Sequence, residues 1–195
     1  MQVQELWDRA VFALGTSKVF ETRMAGLDTR LMVLGYIGAA VPALVGAMVL
    51  SFGAKSLEIP GVLLIVGLLG VGQFAISLWS TFARWPERLS YATESMMENA
   101  QLANEFERAA KLIGNGQAYT DLAALVAKDD ARQGQDQKRP LSEPEKRFAM
   151  RSALLQFRRP CVECSETPTV IDPSDCAVCG NFQLPKWSKG WAIGA

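Results

Sequence analysis

Apolar residues fall along this chain in two kinds of pattern, and the difference divides it. From Leu31 to Ala54, and again from Ile59 to Ala83, no charged side chain occurs. Each run exceeds the ~20 residues that a helix needs to cross a hydrocarbon core. Lys55-Ser56-Leu57-Glu58 between them is long enough only for a turn at the membrane surface. A backbone inside a bilayer must bond to itself, so the runs predict a helical hairpin at about 31–54 and 59–83. Two buried core helices would need more covering protein than the rest of the chain supplies.

Outside the runs the pattern becomes helical and one-sided. Val3, Trp7, Ala10, Val11 and Leu14 share one face of a helix in residues 1–30. Such a helix lies on a membrane surface or packs on a neighbouring helix, and the missing lysine-rich face favours packing. Leu89, Ala92, Met96, Asn99, Ala103, Phe106, Ala110 and Ile113 keep a 3-4 spacing that suits an intersubunit or interhelical seam. Gly114-Asn115-Gly116 ends it. A short helix from about Ala118 to Ala131 follows, and residues 132–139, rich in Gln, Asp and Gly, read as a flexible linker. Ser142-Glu143-Pro144-Glu145 forms a capping box that opens a helix running to about Arg159.

The expected fold class is therefore an all-α membrane protein with five regions. These are an N-terminal amphipathic region (1–30), the hairpin (31–83), a long and a short cytoplasmic helix (84–131), a linker with a basic helix (132–159), and a C-terminal module with its tail (160–195). Lys18, Arg23 and Arg30 precede the first run, Arg84 and Arg88 follow the second, and the turn holds only Lys55. The positive-inside rule then puts both termini in the cytoplasm. Trp79 and Trp85 bracket the inner end of the second helix, where indoles favour the headgroup region.

Composition narrows the chemistry. The chain has no histidine, which removes Ser-His-Asp and Cys-His nucleophiles and HExxH metal sites. Its 20 basic and 20 acidic residues cancel, which argues against a generally basic nucleic-acid coat protein. No enzyme is expected.

Three groups of residues carry candidate functions. Gln73, Ser77, Ser80 and Arg84 fall at 3-4 spacing on one face of the second apolar run, with Leu69 and Val66 extending the line as an apolar stretch. Polar groups in a span face protein or water, so the line either hydrogen-bonds a neighbouring helix or lines a pore whose apolar half gates by dewetting. Gly35, Ala39, Ala43 and Gly46 form a small-residue face suited to close helix contact. Two helices cannot enclose water, so a pore requires a homo-oligomer of four or more subunits.

The second group is basic. Lys138, Arg139, Lys146, Arg147, Arg151, Arg158 and Arg159 face only Glu143 and Glu145, seven positive against two negative charges for a local net of +5. This is a solvated or lipid-contacting helix face, or a site for a phosphate-bearing signal held by Lys146, Arg147, Arg151, Arg158 and Arg159.

The third group is the most specific. Cys161-Val-Glu-Cys164 and Cys176-Ala-Val-Cys179 are two CxxC pairs eleven residues apart, they use every cysteine in the protein, and Gly180 follows the second. Four thiolates in this arrangement suit a closed tetrahedral Zn²⁺ site, with iron as the alternative metal. Thr169-Val170-Ile171 and Asp172-Pro173 suit a strand and a turn between the pairs. A cytoplasmic placement disfavours disulfides. So small a module needs its metal to fold.

Taken together, a short amphipathic helix, Arg23 and Arg30 before a two-helix hairpin, Arg84 after it and a long cytoplasmic helix resemble the SLATT family over about residues 1–125. Those are bacterial two-transmembrane effectors of nucleotide-signalling conflict systems. The cysteine spacing resembles proteins of mobile elements that carry a CxxCx(11)CxxC signature. The resemblances imply an oligomeric anti-phage effector of the bacterial inner membrane. It would act as a ligand-gated pore or ion channel that depolarises the membrane when a nucleotide or oligonucleotide from a co-encoded synthase arrives. The alternative is a membrane-anchored zinc-ribbon adaptor that recruits a cytoplasmic protein or nucleic acid.

Overall fold

The computed structural model describes residues 2–53 and 60–183, and the expected turn at 55–58 and the tail beyond 183 lie outside them. Five helices follow in order: α1 (Val3–Phe52), α2 (Pro60–Phe82), α3 (Trp85–Gly114), α4 (Leu122–Asp136) and α5 (Glu143–Phe157). No strand occurs among the described residues. The chain divides into two compact units, residues 24–91 and the remainder (1–23 with 92–195). The N-terminal amphipathic segment and the first apolar run are one unbroken helix with Pro42 inside it.

In the unit formed by 1–23 and 92–195, the one-sided patterns meet. Leu6, Ala10, Val11, Ala13 and Leu14 of α1 form one core with Leu102, Ala103, Phe106, Ala109 and Ala110 of α3, Leu125 of α4, and Ala153 and Leu154 of α5. The expected seam of α3 is thus interhelical within the chain, and the N-terminal helix packs as its missing lysine face implied. Ser17 Oγ donates to Met96 O at 2.8 Å.

Helix α5 runs antiparallel to the start of α1, as its contact pairs show. Arg23 pairs with Glu145, Trp7 meets Phe157 edge-to-face at 5.7 Å, and Arg159 lies 4.5 Å from the Trp7 ring. At Gly15 a Cβ would lie 2.8 Å from Ala149 O, so only glycine lets the two backbones approach this closely. The capping box expected at Ser142 forms: Ser142 N–H donates to Glu145 Oε2 at 2.8 Å. Arg23 extends it, with Nε and Nη2 each 2.8 Å from a Glu145 oxygen.

Two boundaries differ from the sequence expectation. α4 begins at Leu122 and continues to Asp136, so more than half of the stretch read as a linker is helix. Its polar residues are not there for solvent. Arg132 is 2% exposed and binds Glu94, Glu98 and Asp136 at 2.8–3.1 Å, while Ser95 and Asn99 of α3 each donate to Asp136 at 2.8 Å. Burial works against the Arg132 charge, but the hydrogen bonds it donates to Asp136 and Glu98 outweigh it and hold its pKa above the usual value. Asp129, also buried, pairs with Arg9. Composition suggested a linker; an internal charge cluster is what those residues build.

The unit of residues 24–91 has a different surface. α1 from Leu31 onward and α2 are long and apolar enough to span a membrane, and their apolar side chains point outward. Leu50 is 89% exposed and Phe82 80%, and Tyr36, Leu44, Val71 and Phe74 are exposed as well. α2 stops at Phe82, and Arg84 adopts a left-handed φ of 52° before α3 opens with Trp85-Pro86. The left-handed Arg84 makes the break, and Pro86 falls in the first turn of α3, where its missing N–H costs nothing.

Candidate metal centre

The four cysteines converge at the end of α5. Cys161 and Cys176 have their Sγ atoms 4.0 Å apart, Cys164 and Cys179 3.8 Å, and all four sulfurs lie within 4.8 Å of one another. Sulfurs ~2.3 Å from one ion at tetrahedral corners are about 3.8 Å apart, whereas a disulfide needs ~2.05 Å. All four are therefore thiols placed to hold one metal ion between them, and the donor set fits the ion that the spacing implied.

Backbone turns shape each CxxC. Ser165 N–H donates to Cys161 O and Gly180 N–H to Cys176 O, both at 2.9 Å, and Cys161 N–H reaches Glu166 O at 2.9 Å. The expected strand at Thr169–Ile171 is absent; bends occupy 169–172. A strand needs a partner ladder, and here the Val170 carbonyl accepts from the Arg151 side chain of α5 instead. Gly180 sits where the chain passes close to itself. A Cβ there would collide with the Ser174 backbone, whose carbonyl accepts Asn181 N–H at 2.7 Å.

The thiols differ in acidity. N–H groups of Cys179 and Val178 point at the Cys176 sulfur and bring its pKa down to about 7. Burial, together with the neighbouring thiols, pushes Cys179 up to about 12. Repeated ionisation in one small volume is costly without a cation, so metal entry and proton release are one event.

The other candidate residues are less gathered. On α2, Ser80 is buried and Val66, Gln73 and Ser77 are partly covered, whereas Leu69 is exposed. Arg84 lies beyond the helix, so the polar line ends at Ser80. A Cβ on Gly38 of α1 would lie 2.8 Å from Gln73 Nε2, so this line meets α1 within the chain. The small-residue face has turned elsewhere: Gly35, Ala39, Ala43 and Gly46 are exposed.

The basic residues do not form one cluster. Lys146 pairs with Glu143 at 2.7 Å, Arg147 donates to Asn181 O at 3.2 Å, and Arg158 caps α5 with φ 53°. Arg159 lies over Trp7 and donates to Gln4 Oε1 at 3.2 Å. Arg151 is buried against the cysteine module, which its place in a basic run did not indicate.

Fold and site together define an all-helical protein with two helices of membrane-spanning length and a four-cysteine metal module. The chain belongs to the family described as Mobilome CxxCx(11)CxxC protein, whose model matches residues 3–182. No curated protein and no solved structure matches it.

Proposed function

We propose that this protein is an oligomeric effector of the bacterial inner membrane that opens an ion-conducting path when its cytoplasmic part receives a nucleotide or oligonucleotide signal. The observation that carries this reading is the outward apolar surface of α1 beyond Leu31 and of α2. At about 25 cal/mol per Å², so much exposed hydrocarbon is intolerable in water and favourable in lipid. Lys18, Arg23, Arg30, Arg84 and Arg88 support a placement with both ends cytoplasmic. The exposed Gly35, Ala39, Ala43 and Gly46 face supports association with further copies, since small residues allow close helix approach in lipid. The helical layout of residues 3–114 supports the resemblance to SLATT effectors. In the metal centre, four thiolates with no other donor favour Zn²⁺ in a closed structural site.

The covered position of Gln73, Ser77 and Ser80 gives the resting state a physical form. Gln73 lies against Gly38 of α1, so wetting it requires the two helices to part. Val66 then contributes the apolar constriction. For the signal, the candidate contacts are Lys146 and Arg147 of α5 with Arg158 and Arg159 just past its end, while Arg151 is engaged by the cysteine module. A second reading, a membrane-anchored zinc-ribbon adaptor, is favoured by the same covered line, because polar groups hydrogen-bonded inside a hairpin need no pore.

Planar bilayers separate the two. Val66→Asn should conduct without any trigger, and Gln73→Leu should lose conductance in cells triggered by a co-encoded neighbour while keeping its assembly. A silent Val66→Asn with normal Gln73→Leu would leave the adaptor.

A further inference from the structure

The two halves of the metal centre are held in different ways. Cys161 follows α5 after only Arg158, Arg159 and Pro160, so the chain itself places the first pair. The second pair lies beyond eleven residues that contain neither helix nor strand. Side chains of α5 must place it. Arg151 Nε donates to Val170 O at 3.1 Å, and its Nη1 donates to Ser174 Oγ at 3.2 Å. Ser174 is where the chain entering the second pair meets the chain leaving it: its carbonyl accepts Asn181 N–H at 2.7 Å and packs against Gly180. Phe148 of α5 adds an edge-to-face contact with Phe182 at 5.7 Å.

Arg151 is only 8% exposed. Burying a guanidinium is costly unless its donors are used, and here the planar fork reaches two acceptors on one loop in directions that a lysine could not serve together. We infer that Arg151 is a positioning residue for the metal: through Ser174 it sets the Cys176–Cys179 pair against the Cys161–Cys164 pair without touching the ion. This rests on the reading of the four cysteines as a metal site. Groups that orient ligands in this way typically change metal affinity by about 10–100-fold when removed.

The test uses the full chain in detergent, with zinc release to a chromophoric chelator and the thiolate-to-metal absorption of the Co²⁺-loaded protein as readouts. The unmodified protein must first bind one metal with a tetrahedral thiolate spectrum; failure there removes the metal reading itself before Arg151 is judged. Arg151→Gln should then weaken zinc binding by about 10–100-fold and alter the cobalt spectrum. Arg147→Gln, which removes only a surface contact to the same module, should stay close to the parent. Arg151→Lys should fall between, and full recovery by lysine would overturn the inference, because charge alone would then suffice. Ser174→Ala leaves α5 untouched, so it serves even if Arg151→Gln does not fold. It should also speed zinc release, and parent-like release from Ser174→Ala and from whichever Arg151 variant folds would overturn the proposal.

Discussion

Helix α1 is continuous, yet its two ends solve opposite problems. Over residues 3–23 its apolar stripe is buried: Leu6, Ala10, Ala13 and Val19 are at 0% exposure, with α3, α4 and α5 contributing to the same core. From Leu31 to Phe52 the helix is apolar around its circumference, and Met32, Tyr36, Leu44 and Leu50 are exposed. The first segment mixes Glu5, Asp8 and Arg9 with its apolar positions, and the second contains no charge at all. One-sided hydrophobicity calls for a protein partner, and all-round hydrophobicity calls for an apolar surrounding. A single helix can satisfy both in sequence because helical hydrogen bonding is indifferent to what surrounds it.

The largest effect should come from the metal centre, which belongs entirely to the water-facing chemistry of this pair. Cys176→Ser should lose the metal and unfold the module around it, since structural zinc in small modules supplies on the order of 10 kcal/mol. Metal analysis and proteolysis would report this. Membrane association of the same variant should persist; if it disappears, the apolar unit depends on the module and the contrast fails.

A smaller effect tests the two apolar environments directly. Phe106 is at 0% exposure in the α1–α3 core, and Phe74 is 66% exposed on α2. Phe106→Ala should cost ~3–5 kcal/mol in denaturant unfolding in detergent. Phe74→Ala should cost less than about 1 kcal/mol, because an exposed ring gives up few protein contacts. Equal costs would mean that α2 is packed against protein.

The smallest effect concerns the clasp between α1 and α5. Burial raises the Glu145 pKa, but the Arg23 guanidinium and the Ser142 N–H and O–H outweigh it and hold the carboxyl below its ordinary value. A depressed carboxyl contributes stability above its unfolded value, near ~4.3, and loses it as pH falls through the folded value. Acid should therefore loosen this unit, and Glu145→Gln should remove that part of the pH dependence at a cost of about 1 kcal/mol near neutrality. Thermal melts from pH 3 to 7 would show it. An unchanged acid limb in Glu145→Gln would assign the sensitivity to other carboxylates.

The sequence alone determined the parts whose physics is local. Charge-free runs identify the two membrane-length helices, 3-4 spacing locates the α3 seam, Ser142 and Glu145 start α5, and eleven residues between two CxxC pairs predict four converging thiols. Each depends on backbone geometry over a few turns or on a ligand set that one metal demands. Only the tertiary structure decided the rest. Arg132 and Asp136 look like linker residues until α3 brings Ser95, Asn99, Glu94 and Glu98 against them. Arg151 looks like one positive charge among seven until Ser174 and Val170 fold back onto it. Arg84 continues a polar line on a helical wheel until α2 stops at Phe82 and Arg84 turns left-handed. The partners of these side chains are distant in sequence or depend on where a helix stops. A buried charge and a solvated one are written with the same letter, and only the neighbours that remove water distinguish them.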